Sequence, residues 1–173
     1  MKRGYILLLF IAGFILQSTM MLYINLLGIT PNIILCLVVL FSFVYEGNQG
    51  IIYGIVFGLI QDICFSVLIG PAAISYFLVA LLMIEIKRFL HRDSMLNIFL
   101  ASLIATATYY LINWGIIALF GGIYSFLYVA KGTVILLILN SITMIILYQL
   151  IGKRSIRYPQ DRYYSGKNPY YYK

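Results

Sequence analysis

The chain has 173 residues, of which 63% are hydrophobic and only 10% are charged. A soluble globular domain carries roughly 25% charged residues, so this composition excludes an ordinary soluble domain and predicts a protein whose solvent is lipid. The net charge is +7, which in a membrane protein is first of all a signal of topology. Since a transmembrane helix takes about 20 residues, at most about six or seven spans fit, with no room for a soluble catalytic domain.

The first apolar run follows a basic N-terminus, Met1-Lys2-Arg3-Gly4, and extends from Tyr5 to Leu22. It is too long for the apolar region of a typical signal peptide, and no small-residue cleavage site follows it. We therefore predict a retained first span over residues 5–24, with the basic pair on the cytoplasmic side.

The second span is predicted within the uncharged block between Arg3 and Glu46. Pro31 suits the first helical position of this span, where its missing N–H has no cost. We place the second span at residues 32–46.

Two short spans are predicted between Glu46 and Glu85, where Asp62 is the one charged residue. Glycines punctuate this block, which fits helices over residues 48–65 and 71–87. Because both helices would be short, a tilted or partly re-entrant pair is an alternative to two full spans.

The last two spans follow a basic loop. The run from Met95 to Phe120 predicts one long span over residues 95–120, and Gly121-Gly122 ends it. A final span is predicted over residues 131–151. No internal repeat is evident, and we interpret residues 1–152 as one membrane domain.

The distribution of basic residues predicts the orientation. With six spans and a cytoplasmic N-terminus, eleven of the twelve Lys and Arg residues are cytoplasmic: Lys2, Arg3, Lys87, Arg88, Arg92, Lys153, Arg154, Arg157, Arg162, Lys167 and Lys173. Only Lys131 falls outside. The positive-inside rule therefore favours an N-in/C-in topology. An odd number of spans would place a basic cluster outside, and four spans would leave two implausibly long helices.

The C-terminal segment differs in composition from the rest of the chain. Residues 153–173 hold six Lys or Arg and six Tyr. Pro159, Gly166 and Pro169 argue against a helix here. We predict a disordered, basic, Tyr-rich cytoplasmic tail.

A glycine–acid pattern, Gly54-x-x-x-Gly58-x-x-x-Asp62, lies on one face of the third span, because residues four apart share a helix face. Glycines in register let a neighbouring helix approach closely. An acid on the same face is costly in lipid unless it is paired or hydrated. We interpret Asp62 as a structural acid that caps or bridges helices; a proton or substrate site and contact with a partner protein are the alternatives.

The fifth span carries a polar stripe, Ser102, Thr106, Tyr109 and Asn113, whose offsets of 4, 3 and 4 residues place it on one face. The first and sixth spans add Gln17, Ser18, Thr19, Asn140, Ser141 and Thr143. Hydrogen bonding between helices is the interpretation that we favour, at roughly 0.6 kcal/mol per bond. A polar cavity for a small molecule is the alternative.

An enzymatic function is not favoured. The sequence has no Ser/His/Asp set, no phosphate-binding loop and no pair of carboxylates that the spans would bring together. Cys36 and Cys64 lie in apolar stretches without metal-ligand spacing, so we predict no metal and no cofactor. Glu85 is expected to pair with Arg88.

Basic residues near the membrane surface form a further candidate site. They are Lys87, Arg88, Arg92, Lys153, Arg154 and Arg157. We predict that they contact anionic lipid headgroups or a cytoplasmic partner rather than nucleic acid.

The order of these motifs resembles the rod shape-determining protein MreD family. Members typically show a proline–acid pair that opens the second span and precedes a run of leucines. Here the pair is Pro31-Asn32, followed by Ile33-Ile34-Leu35-Cys36-Leu37. Members then show glycines four apart that lead to an Asp, and a later turn with glycine. On this resemblance the candidates for helix packing or a partner interface are Pro31, Asn32, Gly54, Gly58, Asp62 and Gly70. The amide of Asn32 departs from the usual acid and weakens any role that needs a charge there.

The resemblance implies a non-enzymatic, multi-pass subunit of the bacterial cell membrane that belongs to the elongation (Rod) complex. It implies MreC as the direct partner and, indirectly, a class B penicillin-binding protein, RodA and MreB. This complex directs lateral peptidoglycan synthesis and maintains rod shape. The family also implies an all-α bundle of six transmembrane helices, similar in fold to the S components of ECF-type transporters, with a lateral groove or outer cavity for the membrane helix of MreC.

The alternative function is uptake of a vitamin or similar small molecule by an S-component-like protein. The polar stripes and the fold analogy favour it. Against it, S components usually carry small residues spaced as A-x-x-x-A in the first span, and here that span offers only Ala12 and Gly13.

Overall fold

The computed structural model describes residues 3–23, 30–45, 47–90, 94–122 and 125–152, and this part of the chain is entirely helical between its turns. Six α-helices follow one another: α1 (Arg3–Tyr23), α2 (Ile33–Val39), α3 (Gln49–Phe65), α4 (Pro71–Ile86), α5 (Met95–Leu119) and α6 (Phe126–Leu147). Two of them, α2 and α6, continue into π-helical segments, Leu40–Val44 and Tyr148–Gly152. The predicted tail, residues 153–173, lies outside the described residues.

The helices fall into a long and a short group. Three helical stretches are long and apolar enough to cross a membrane: Arg3–Met20, Met95–Leu119 and Val129–Gly152. The stretches Ile33–Val44, Gln49–Phe65 and Pro71–Ile86 are apolar but shorter. At about 1.5 Å per residue, the 17 residues of α3 extend about 25 Å, whereas a typical hydrocarbon layer is about 30 Å thick.

Two helices begin at other residues than the sequence suggests. Helix α2 begins at Ile33 rather than at Pro31, because the Asn32 side chain accepts a hydrogen bond from the N–H of Leu35 (2.9 Å) and is therefore the N-cap. Helix α6 begins at Phe126, ahead of the start that we predict for the last span.

The short helix α2 occupies the centre of the bundle. Every residue of its stretch Ile33–Val44 is buried, and α2 packs against each of the other five helices. A helix that is apolar on all sides can only be accommodated in a core or in lipid. Here five neighbouring helices provide that core.

The other helices form a layer around α2. Helix α3 packs on α4, α4 on α5, and α5 on α6, while α1 packs on α2 and α3. Phe10 of α1 is fully buried, and its ring lies 5.2 to 5.8 Å from the rings of Phe41, Tyr53 and Phe57. This aromatic cluster holds α1 against α2 and α3.

Large apolar side chains lie on the outside of the bundle. On α3 the exposed residues are Ile52, Val56, Leu59 and Ile63, and on α6 they include Ile138, Ile142 and Ile146. The glycines Gly50, Gly54 and Gly58 and polar residues such as Asp62 and Asn140 lie inside. This distribution is typical of helices that pack in lipid, where small and polar residues form the contacts and large apolar residues face the acyl chains.

Candidate functional site

The closest helix contact in the glycine–acid pattern is made by Gly58 of α3. A Cβ atom added at Gly58 would lie 2.6 Å from the Cα atom of Ala73 and 2.8 Å from a ring carbon of Tyr76. Because the first of these atoms belongs to the backbone of α4, it cannot move aside without moving the helix. The absence of a side chain at Gly58 is therefore a condition for the approach of α3 to α4.

Two more glycines continue the same face toward the start of α3. A Cβ atom at Gly54 would lie 3.2 Å from Val38 and 3.4 Å from Tyr76, and one at Gly50 would overlap the hydroxyl of Ser42. Gly50 is a contact residue that our sequence reasoning did not select. Its position four residues before Gly54 is the feature that could have identified it.

Asp62 completes this face at the end of α3, and its carboxylate lies at the start of α4. Its oxygens accept hydrogen bonds from the backbone N–H groups of Gly70 (3.0 Å), Ala72 (3.0 and 3.1 Å) and Ala73 (3.2 Å). The side chain is 1% exposed. The first N–H groups of a helix have no partner within the helix, and the helix dipole favours a negative charge beside them. Asp62 therefore caps α4 from another helix.

The turn before α4 has the backbone that this cap requires. Gly70 is the N-cap residue of α4 and has φ 123° and ψ −33°, a conformation that side chains disfavour. Pro71 follows at the first helical position, where it has no N–H to satisfy. The three donors that remain face Asp62.

A second set of buried polar side chains surrounds the start of α2. Asn32 is 5% exposed. Its side-chain oxygen caps α2 and accepts a hydrogen bond from the hydroxyl of Tyr76 (2.9 Å). Its backbone N–H donates to the side-chain oxygen of Asn140 (2.8 Å), and the N–H of Ile34 donates to the side-chain oxygen of Gln17 (3.0 Å). At the start of α2, residues of α6 and α1 thus accept from the N–H groups of Asn32 and Ile34, and Asn32 itself accepts from that of Leu35.

Gln61 links this group to the glycine–acid face. Its side-chain oxygen lies 2.8 Å from the Tyr76 hydroxyl and 3.5 Å from the side-chain nitrogen of Gln17. Gln61 and Tyr76 were not selected by our sequence reasoning, although Gln61 directly precedes Asp62 in the sequence. We refer to Gln17, Asn32, Gln61, Tyr76, Thr106 and Asn140 as the polar hub.

The polar stripe of α5 meets the hub along one side. Ser102, Thr106 and Tyr109 are buried, whereas Asn113 is partly exposed. The hydroxyl of Thr106 accepts a hydrogen bond from the side-chain amide of Asn140 (3.3 Å). The ring of Tyr109 stacks on that of Tyr76 with a centroid distance of 4.8 Å. Thr106 and Tyr109 thus make contacts with other helices of the chain.

The candidate basic site is described only in part. The ammonium group of Lys87 donates to the carbonyl oxygen of Tyr45 (3.0 Å). Arg88 and Glu85 form the predicted ion pair at 3.0 Å, with 71% and 58% of their side chains exposed. Arg92, Lys153, Arg154 and Arg157 lie outside the described residues.

Hydrogen bonds connect the polar side chains of the candidate site. No group of three or more His, Cys, Asp or Glu side chains among them could hold a metal ion. The carboxylate of Asp62 faces backbone amides, and the hub side chains face one another. This arrangement joins α1 to α6 into one unit around α2.

These features define the class of the protein: a helical membrane protein whose buried polar groups connect its helices. A family model described as rod shape-determining protein MreD matches residues 2–155 of the chain, and the chain belongs to this family. Comparisons with curated proteins and with solved structures gave no match. The protein is thus a rod-shape-determining membrane protein.

Proposed function

We propose that this chain is a non-enzymatic subunit of the bacterial elongation complex that binds MreC and helps to organise lateral peptidoglycan synthesis. The observation that carries the proposal is the family match over residues 2–155. The polar hub supports it, because its side chains bond to one another and to helix ends instead of converging on an open reaction centre.

We propose that the chain lies in the plasma membrane, with six transmembrane segments and with both termini in the cytoplasm. Support comes from the basic residues, eleven of which then lie inside. The exposed ion pair of Arg88 and Glu85 at the end of α4 suits this cytoplasmic surface. The similarity of fold to S components stays a prediction.

The surface that meets MreC is proposed to be one of the outward apolar faces. Gly54 and Gly58 contact α2 and α4 of the same chain, so their role in the complex is to fix the bundle. Pro31, Asn32, Asp62 and Gly70 are proposed to act in the same way at helix starts. A membrane helix of MreC would pack on the rigid surface that results.

The basic residues are proposed to hold the cytoplasmic side of the protein near anionic headgroups. Arg88 is well exposed, and Lys153, Arg154 and Arg157 begin the basic tail. Each basic residue near an anionic membrane surface contributes roughly 1 kcal/mol. Through MreC and this surface the chain would work with RodA, a class B penicillin-binding protein and MreB.

Co-purification with MreC of the same organism tests the proposal. The two proteins are expressed together, solubilised in mild detergent and isolated through a tag on one of them, and a stoichiometric complex that survives gel filtration is expected. Gly58→Leu should abolish the complex because it separates α3 from α4. Gly132→Leu is the matched control, because a Cβ atom added at Gly132 would have no neighbouring atom within 4 Å. Recovery of a monodisperse chain without MreC would overturn the proposal.

The small-molecule alternative predicts a different result in the same preparation. An S-component-like protein would carry a bound small molecule, which mass spectrometry of the denatured sample would detect. The hydrogen bonds among Thr106, Asn140 and Asn32 occupy polar groups that such a ligand would need. We therefore propose the assembly role.

A further inference from the structure

The turn between α3 and α4, residues 66–70, carries apolar side chains that no part of the described chain covers. Val67 is 101% exposed and Ile69 is 69% exposed, and they follow Phe65, which is 48% exposed. A turn that reaches water normally carries polar residues. This one has the sequence Ser-Val-Leu-Ile-Gly.

The length of the hairpin limits how far this turn reaches. At its other end, α4 finishes beside the exposed ion pair of Glu85 and Arg88, which requires water or headgroups. Helix α4 has 16 residues, which is about 24 Å. With the ion pair at one membrane surface, the turn ends several ångströms short of the opposite surface of a hydrocarbon layer about 30 Å thick.

Asp62 lowers the cost of bringing the start of α4 into lipid, where each unpaired backbone donor is costly. Gly70, Ala72 and Ala73 donate to its carboxylate, and Pro71 has no N–H. The next donor, the N–H of Ile74, bonds to the carbonyl oxygen of Gly70 (2.9 Å), and that of Ser66 bonds to the carbonyl of Asp62 (3.0 Å). The donors at the start of α4 therefore need no water.

We propose that the turn at residues 66–70 lies at the boundary between the headgroups and the acyl chains of the bilayer, with Val67 and Ile69 in contact with lipid, and that Asp62 makes this depth attainable by capping α4. At this boundary the backbone N–H groups of residues 67–69 can bond to water or to headgroup oxygens. The side chain of Ser66 is exposed in the same turn, so the turn lies just beneath the headgroups, where a hydroxyl reaches polar atoms. This hairpin is then a membrane-embedded element that ends inside one leaflet.

Tryptophan fluorescence in vesicles tests the proposal with the full chain alone, so that its outcome does not depend on MreC. The chain has one tryptophan, Trp114, which is replaced by phenylalanine in both variants. Val67→Trp reports on the turn, and Phe120→Trp reports on the end of the 25-residue helix α5, where Phe120 is 71% exposed. The vesicles contain phosphatidylethanolamine and phosphatidylglycerol, with or without bromine on the upper carbons of the acyl chains.

The expected result is that brominated lipid quenches most of the emission of Val67→Trp while aqueous iodide leaves it nearly unchanged. Phe120→Trp should respond more strongly to iodide. Quenching of Val67→Trp by iodide would overturn the proposal in favour of an aqueous turn. Protection from both quenchers would overturn it in favour of a protein contact between copies of the chain.

A second position guards against a variant that does not fold. Ile69→Trp places the same probe two residues further along the turn, and each variant is accepted only if it elutes as the parent does in gel filtration. Iodide quenching at both positions would exclude a buried turn. Lipid quenching at both would establish it.

Discussion

The α3–α4 hairpin and the α5–α6 hairpin both contain glycines within their helices, yet these glycines have different surroundings. Gly50, Gly54 and Gly58 of α3 meet atoms of α2, its π-helical extension or α4 at distances that exclude or crowd a Cβ atom, whereas Gly115 and Gly132 have no atom within 4 Å of such a Cβ. A glycine in a membrane helix therefore indicates close packing only when the helix face that carries it contacts a neighbouring helix. The four-residue repeat that ends at Asp62 distinguishes the first hairpin from the second.

The two hairpins also place their polar groups differently. In the first, a carboxylate lies against the start of a helix, so that loss of Asp62 would leave two buried donors and one partly buried donor without a partner. In the second, Thr106 and Asn140 form one hydrogen bond between neutral side chains near the middle of α5 and α6. We therefore expect substitutions in the first hairpin to have the larger effects on stability.

Asp62→Ala should have the largest effect. Each buried donor that loses its partner costs about 1–3 kcal/mol, so the free energy of unfolding in detergent should fall by roughly 3 kcal/mol or more. Asp62→Asn retains one acceptor oxygen and should be milder. Thermal unfolding of the purified chain measures both variants. If Asp62→Asn abolished rod shape at a normal protein level and normal stability, Asp62 would have a role beyond capping.

Gly58→Ala should lower the free energy of unfolding by about 2 kcal/mol, because overpacking of a close contact typically costs 1–3 kcal/mol. Gly115→Ala is the matched control on α5 and should be neutral or stabilising by up to about 0.5–1 kcal/mol, since alanine is favoured over glycine within a helix. The same thermal unfolding assay compares them. Equal effects at the two positions would contradict the contrast between the hairpins.

Tyr76→Phe should cost about 1 kcal/mol, because the hydroxyl that it removes donates to Asn32 in the polar hub. Thr106→Val, which removes the acceptor of Asn140 on the other hairpin, should cost roughly 0.6 kcal/mol. Combining both variants tests whether the hub acts as one network. A cost that is strictly the sum of the two single costs would indicate independent bonds.

Arg88→Gln should have the smallest effect, within about 0.5 kcal/mol, because exposed ion pairs contribute little. Arg88 and Glu85 are largely exposed. Thermal unfolding at low and high salt checks this prediction. If the variant lost more than about 1 kcal/mol of unfolding free energy at low salt and this loss disappeared at high salt, the end of α4 would depend on this pair.

The fold was predictable from the sequence to the extent that charge and apolar length control it. The uncharged blocks and the glycine or proline breaks predicted six helical segments, and the described residues form six α-helices. The sequence did not indicate that α2 lies in the centre. All six segments are strongly apolar, and a segment without a polar face, such as Ile33–Val44, suits a protein core and lipid equally well.

For the candidate site, the sequence predicted which residues share a helix face but not which residues they contact. The spacing of Gly54, Gly58 and Asp62 placed them on one face, and that of Ser102, Thr106, Tyr109 and Asn113 placed them on another. The structure buries the first three residues of this second set. Their partners could not be inferred. Asn32 and Asn140 are 108 residues apart, and Ala72 and Ala73 offer only backbone N–H groups, which every residue except proline carries.

The sequence by itself therefore determined the class of the protein, its family and the residues that share a helix face, because composition and periodicity act locally along the chain. The tertiary structure alone decided that Asp62 caps α4, that α2 is enclosed, and that six polar side chains form one hub. The physical reason is that lipid gives no preference for one apolar face over another. The choice of helix neighbours is therefore made by close packing at glycines and by the need to satisfy every buried hydrogen-bonding group.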